Sequence, residues 1–238
     1  MTTVPQQISG ILLFDKPKGI TSHDAVDLVR RRLNFKKIGH TGTLDPMATG
    51  LLVMLLGPAT KYQAKLQNCA KVYSGAITLG VETDTWDAEG RVLKETPVSG
   101  ITQDKIRNVI GFFTGKVVQQ VPAFSAVRYK GKHLYKLARK NAAMPAIRRD
   151  VNITWNNYSF KTPVLKFSLE CSGGTYVRSI AYEMGRMLGT GGHLSELRRL
   201  SVNRWKVGDA LDREALQKLS PEALKDRLLE VPSDLKNL

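Results

Sequence analysis

One acidic residue, Asp45, stands where acids are otherwise missing. At the chain's average the 54 residues between Asp27 and Glu82 would hold about five acids. Asp45 is the only one, in company with Arg30, Arg31, Arg32, Lys36, Lys37, Lys61, Lys65 and Lys71. A carboxylate in so basic a surface repels the polyanion that the surface attracts. In Gly39-His40-Thr41-Gly42-Thr43-Leu44-Asp45-Pro46, two glycines and a proline fix a tight loop around it. A plain Asp-Pro turn or a helix N-cap would explain the same residue, and the local sequence leaves both explanations standing. A lone carboxylate cannot hold a metal pair or run a two-carboxylate hydrolysis. It can act as a nucleophile or as a base, and either role needs it ionised in a site that excludes water, so a cation must lie close by.

The elements that would position such a loop are legible around it. Gly10–Asp15 reads as a buried strand ended by the turn Lys16-Pro17-Lys18-Gly19. A helix is expected over Ser22–Leu33, opened by a capping box of Thr21 and Asp24 and striped by Val26, Val29 and Leu33. The apolar run Leu51–Leu56 would anchor the loop to the core. A strand over Val72–Val81 puts Tyr73, Ile77, Leu79 and Val81 on one face, and strict alternation marks another from Leu165 to Cys171. Ile106, Val109, Ile110 and Phe113 mark a helix stopping near Gly115. A further helix runs from about Val177 to Leu188 and ends in glycines, and two short helices follow Asp212, the second opened by Ser220-Pro221-Glu222. Strands scattered among helices without βαβ alternation predict an α+β fold, a mixed and mostly antiparallel central sheet with flanking helices and loops. No linker divides the chain, so 1–238 reads as one domain with a basic insertion at about 105–150.

Composition narrows the partner. Lys and Arg number 36 against 21 Asp and Glu, a net charge of +15, and the 45 residues from Lys105 to Arg149 contain 11 basic residues and no acid. Two such surfaces fit nucleic-acid phosphates. An anionic membrane would call for a basic amphipathic helix or a lipidation motif, and neither is present in the sequence. The first ten residues lack the pattern of a signal peptide, and Leu51–Leu56 is too short to span a bilayer. Cys69 and Cys171 are isolated, which fits a reducing, cytoplasmic setting. The acidic turn Glu82, Asp84, Asp87, Glu89 lacks the spacing of a calcium loop and reads as a hydrogen-bonded turn; no metal is expected.

The stretch Gly39-His-Thr-Gly-Thr-Leu-Asp-Pro-Met-Ala-Thr-Gly50 closely resembles the signature of the TruB family of tRNA pseudouridine synthases. Asp15-Lys-Pro-Lys-Gly-Ile-Thr-Ser22 is similar to the family's N-terminal motif. Lys71-Val-Tyr73, Leu79-Gly80-Val-Glu-Thr-Asp-Thr85 and Asp87-Ala-Glu-Gly90 resemble its tyrosine strand and turn. Gln120-Val-Pro122-Ala-Phe-Ser-Ala126, with Gly131, Tyr135 and Ala138-Arg139, resembles its RNA-gripping insertion. Gly174-Thr-Tyr176-Val-Arg178-Ser and His193-Leu-Ser-Glu-Leu197-Arg-Arg199 complete the order.

The resemblance implies the pseudouridine synthase fold and isomerisation of a flipped-out uridine, at position 55 in the T-loop of tRNA, to pseudouridine without cofactor or metal. It implies that Asp45 is catalytic, whether by attack on the ribose C1′, addition to the base C6, or proton abstraction. It makes Tyr73, whose default reading is core packing, the residue that stacks on the uracil. Arg178, a cation in the first turn of a helix, wants a carboxylate partner, and the resemblance makes that partner Asp45. Tyr176 and Leu197 would line the pocket, His40 would lie near the flipped bases, and Lys16 would support the pocket or a phosphate. The implied partner is the T-arm of tRNA, bound by a monomer with no obligatory protein partner and no membrane.

Ala123 and Phe124 replace the family's usual proline and tyrosine, and Met144–Ile147 departs from its arginine-proline stretch. Many relatives continue into a C-terminal RNA-binding domain of the PUA type, for which no segment is recognised here. The basic insertion is then expected to carry more of the affinity, with steep salt dependence. Two rivals are a non-catalytic RNA-binding protein or tRNA folding chaperone, and a metal-dependent nuclease. The first does not need Asp45, Tyr73 and Arg178 together; the second needs clustered carboxylates.

Overall fold

The computed structural model describes residues 8–140 and 142–236. From the N-terminus come β1 (Gly10–Lys16), α1 (Ser22–Leu33), β2 (Ile38–His40), β3 (Thr49–Leu56), α2 (Gln63–Gln67) and β4 (Lys71–Leu79). Next are β5 (Val81–Thr83), β6 (Val92–Glu95), α3 (Gln103–Phe112), β7 (Gly115–Gln120), β8 (Arg128–Tyr129), β9 (Lys132–His133) and α4 (Leu134–Ala138). The remainder is β10 (Arg148–Lys161), β11 (Val164–Cys171), α5 (Val177–Met187), β12 (Gly192–Val202), β13 (Trp205–Lys206), α6 (Arg213–Lys218), α7 (Pro221–Lys225) and α8 (Ser233–Lys236). The sheet is mixed and mostly antiparallel, as an α+β fold requires. Two compact units divide these elements: the residues up to Tyr73 with those from Arg198 onward, and Ser74–Leu197.

In the first unit β1 pairs antiparallel with β3, and β3 pairs in parallel with the last part of β12 through Thr49–Arg198 and Gly50–Arg199. β3 is buried on both faces, which is why its sequence is continuously apolar. Leu52, Met54 and Leu56 pack with Val26, Val29 and Leu33 of α1, while Leu51, Val53 and Leu55 pack with Leu66, Trp205 and Val231. The expected capping box opens α1: Thr21 N–H donates to Asp24 Oδ2 at 2.8 Å, and Asp24 N–H donates to Thr21 Oγ1 at 3.1 Å. At its other end Asn34 adopts the left-handed conformation, and Arg30, Arg31 and Arg32 complement the helix dipole. The tail after Asp212 forms α6 and α7 as expected, and adds α8.

In the second unit β4 lies beside β12 on one side and β11 on the other, then β10, with β7 at the edge. The strand expected over 72–81 is broken: β4 stops at Leu79 because Gly80 has a φ of +93°, and Val81 begins the β5–β6 hairpin. The stretch 105–150 is not wholly an insertion beyond the sheet, since α3 covers much of its start and β7 pairs with β10 in the sheet. Its remaining part carries the β8–β9 hairpin, whose two turn residues, Lys130 and Gly131, both have positive φ, as a two-residue turn demands. No helix among the described residues is long and apolar enough to cross a membrane.

Candidate active site

The loop bearing Asp45 is held on both sides of that residue. Before it, Leu44 N–H donates to Ser22 Oγ at 2.8 Å, and the Ser22 hydroxyl donates to Leu44 O at 3.1 Å. After it, the Pro46 carbonyl accepts from Gly19 N–H at 2.8 Å and from Lys16 Nζ at 3.4 Å. Lys16 also donates to Pro17 O and Ile20 O, at 3.0 and 2.7 Å, and is fully buried. It therefore braces the Lys-Pro turn and the Asp45 loop from inside the fold, with no exposed surface. Within the loop Ala48 N–H donates to the Asp45 carbonyl at 3.0 Å, while the Asp45 side chain is half-buried. An N-cap role does not account for it, because no helix follows; β3 does.

Arg199 braces the start of the loop. It is buried, with Nε donating to Leu51 O at 2.6 Å and Nη2 to Gly42 O at 3.1 Å. Its own backbone pairs with Gly50, the last glycine of the signature. A Cβ on Gly50 would sit 2.3 Å from Arg199 O, at a φ of +102°. Gly50→Ala is thus expected to destabilise the fold by about 3 kcal/mol or more, read as a lowered urea midpoint. A variant as stable as wild type would mean that the β3–β12 junction can spread at little cost.

His40 ends β2 with its ring half-buried, and its Nδ1 accepts from Gly42 N–H at 3.4 Å. Burial, then the Arg199 charge, push its pKa below the ordinary 6.5. The ring is neutral at physiological pH, with its proton on Nε2. A depressed pKa gives a stabilising contribution that is full above 6.5 and lost as pH falls through the lower folded value. Wild type is expected to lose more stability than His40→Gln between pH 7.5 and pH 5.5. Equal losses in urea titrations would show that His40 protonates freely in the fold.

Tyr73 lies on β4 and is buried. It shares a strand face with Lys71, whose ammonium donates to Gln67 O and Cys69 O, both at 2.8 Å, and whose stem reaches the Gly42 turn. In the first unit Lys16, His40 and Asp45 thus share one loop and the strands that flank it, and Tyr73 lies on β4 beside β12.

The other expected site residues belong to the second unit. Tyr176 is the N-cap of α5 and offers no side-chain cap. Instead the amide of Gln119 grips its backbone, accepting from Tyr176 N–H at 2.7 Å and donating to Tyr176 O at 2.9 Å. Arg178 is buried in the first turn of α5. Its Nη1 and Nη2 donate to Thr85 O and Phe124 O at 2.8 and 2.9 Å, and its Nε faces Asp87 Oδ2 at 3.6 Å. Within this unit, then, the carboxylate facing Arg178 is Asp87, a residue that the sequence reading left in a structural turn.

That turn is hydrogen-bonded throughout: Asp87 Oδ1 accepts from Thr85 Oγ1 at 2.6 Å and Glu89 N–H at 3.1 Å, and Asp84 Oδ1 accepts from Arg91 N–H at 2.9 Å. Its backbone hooks onto β12 through Ala88 N–H to Leu194 O at 3.0 Å, three residues before the buried Leu197. Trp86, at a φ of +65°, stacks on Tyr182 of α5 with ring centroids 4.3 Å apart. Asp87, Gln119 and Arg199 are neighbours of the expected site residues that the sequence did not single out. Asp87 and Arg199 lay inside quoted motifs, but nothing in their spacing said what they would touch.

Solved structures show the same fold. The chain aligns over 94% of its length with 60% of a chain in the crystal structure of a Cbf5-Nop10-Gar1 complex, at a TM-score of 0.68 and 25% identity. It aligns over 86% of its length with 51% of a chain in an H/ACA ribonucleoprotein bound to a substrate RNA containing 2′-deoxyuridine, at a TM-score of 0.63 and 26% identity. The chain thus spans between half and two thirds of these solved chains. The architecture is the one these chains share, with an aspartate-bearing loop entering the sheet through β3.

The model of the TruB family pseudouridylate synthase N-terminal domain matches residues 30–177. A protein of Opitutus terrae named tRNA pseudouridine synthase B is 42% identical over 95% of this chain and 94% of its own length. One of the same name from Endomicrobium trichonymphae is 42% identical over 86% of this chain and 89% of its own length. The chain belongs to the TruB family of pseudouridylate synthases.

Proposed function

We propose that this protein isomerises uridine to pseudouridine in the T-loop of tRNA, acting as a monomer in the cytoplasm on the T-arm. The observation that carries the reading is the Asp45 loop: a lone carboxylate amid basic sequence, its backbone fixed immediately before and after by Ser22 and Lys16. Such bracing has no purpose for a solvated surface turn, but it is what an enzyme needs to present one reactive group at a defined place.

The isomerisation needs little else. The N1–C1′ bond breaks, the uracil turns, and C5 bonds to C1′; C5 gives up its proton and N1 gains one. Substrate and product have the same atoms, so no co-reactant is consumed. In this reading Asp45 is the catalytic group and Arg178 the counter-ion that keeps it ionised. Tyr73 stacks on the flipped uracil, Tyr176 and Leu197 line the pocket, and the neutral His40 offers Nε2–H to neighbouring bases. No group of three or more His, Cys, Asp or Glu able to hold a metal occurs among the described residues.

The test is to incubate tRNA and a minimal T-arm hairpin with the purified protein in chelator and look for pseudouridine at the T-loop. Product on both substrates is expected. RNA binding without product would favour a chaperone, and strand cleavage that depends on magnesium would favour a nuclease.

A further inference from the structure

The three consecutive arginines at the end of α1 have different fates. Arg30 is consumed by the fold: it donates to Asp27 Oδ1 at 2.8 Å, Ile38 O at 2.9 Å and Lys36 O at 3.2 Å. Arg31 and Arg32 instead meet Arg213 of α6 around a concavity of about 250 Å³, floored by Leu28 and Leu216 and completed by Gln217. No carboxylate lines it. The nearby acids are engaged elsewhere, Asp27 with Arg30 and His23, Asp212 in capping α6 at Ala215 N–H, and Glu214 with Lys218. Arg32 gives one nitrogen to Leu219 O, but its buried Nε has no hydrogen-bond partner. Arg31 and Arg213 are exposed.

Three guanidinium groups around one hollow repel one another, and a fold gains nothing from holding them together unless an anion relieves the repulsion. We propose that this pocket is a second RNA-binding site, holding a backbone phosphate by Arg31, Arg32 and Arg213 while the adjoining ribose lies on Leu28 and Leu216. Planar forks with several donors suit phosphate oxygens, and a sugar edge suits the apolar floor. The pocket is separate from the catalytic loop. That loop is bonded to Ser22 at the start of α1, and Arg31 lies about 14 Å further along the helix axis. The phosphate can belong to the T-arm or to another part of the tRNA. The inference rests on the reading of tRNA as substrate.

The test compares wild type, Arg31→Gln/Arg213→Gln and a control of equal charge loss at exposed sites, Lys206→Gln/Lys225→Gln. Binding to whole tRNA and to the T-arm hairpin is measured against potassium chloride concentration. The arginine variant is expected to bind tRNA about 10-fold more weakly than the control, with its log–log salt slope reduced by about 1 to 2. Its single-turnover rate at saturating tRNA should be unchanged. A deficit shared by the hairpin assigns the phosphate to the T-arm; a deficit on whole tRNA alone places it beyond. Affinity and slope equal to the control's on both RNAs overturn the proposal, and would leave the pocket to a protein carboxylate. Failure of the functional reading is a different result: wild type would then make no pseudouridine, whatever the arginines do to binding.

Discussion

Asp45→Asn is expected to lower the single-turnover rate of pseudouridine formation by at least about 10³-fold while tRNA affinity is unchanged or tighter. The amide has the size of the carboxylate, and hydrogen bonds from Ser22, Gly19, Lys16 and Arg199 to backbone atoms brace the loop, so the loop keeps its shape. What is lost is a charged group able to attack a carbon or take a proton. The effect on binding has the opposite sign to that of losing a contact, because the variant removes a negative charge from a basic stretch. Quench-flow with saturating tRNA, followed by pseudouridine quantification, measures the first effect, and filter binding the second. Pseudouridine made by the variant at the wild-type rate would falsify the catalytic assignment.

Arg178→Met should be costly in two ways that a double substitution separates. Arg178 and Asp87 are both buried, so methionine leaves the Asp87 carboxylate without the cation at 3.6 Å and leaves two carbonyls without donors. A loss of about 3 kcal/mol or more in stability is expected. Arg178→Met/Asp87→Asn no longer buries an unmatched charge and should recover part of that loss, giving a coupling of about 1 kcal/mol or more in a double-mutant cycle. Activity should not recover with it, because the proposed counter-ion of Asp45 is still gone; both variants are expected to fall by about 10²-fold or more. Additive losses of stability in urea denaturation would show that the pair does not act as one unit. Recovered activity in the double variant would remove Arg178 from the reaction.

The elements with one clean periodicity were readable before any coordinates. The capping box and stripe of α1 and the alternation of β11 lie where the sequence put them. The long strand β10 was less legible because its alternation, Val151, Ile153 and Trp155 against Asn152 and Thr154, is short and is broken by a register shift between Trp155 and Asn157. β12 escaped notice because its inward positions include Arg199, a charged residue buried by hydrogen bonds to carbonyls and not by hydrophobicity. Lys16 was open to two readings for a similar reason, since a lysine's burial depends on carbonyls that distant loops supply.

By itself the sequence determined the family, the isolation of Asp45 among basic residues, and the basic character of the chain, because charge pattern and motif order are properties of the chain alone. Tertiary structure alone decided which groups do the holding: Ser22, Lys16 and Arg199 for the Asp45 loop, Asp87 for Arg178, and Gln119 for Tyr176. The physical reason is reach. A hydrogen bond or ion pair acts over a few ångströms in space, whereas these partners are separated by 22 to 157 residues along the chain. The same rule split the three arginines of α1, which are equivalent in sequence, into one that closes a helix and two that line a pocket.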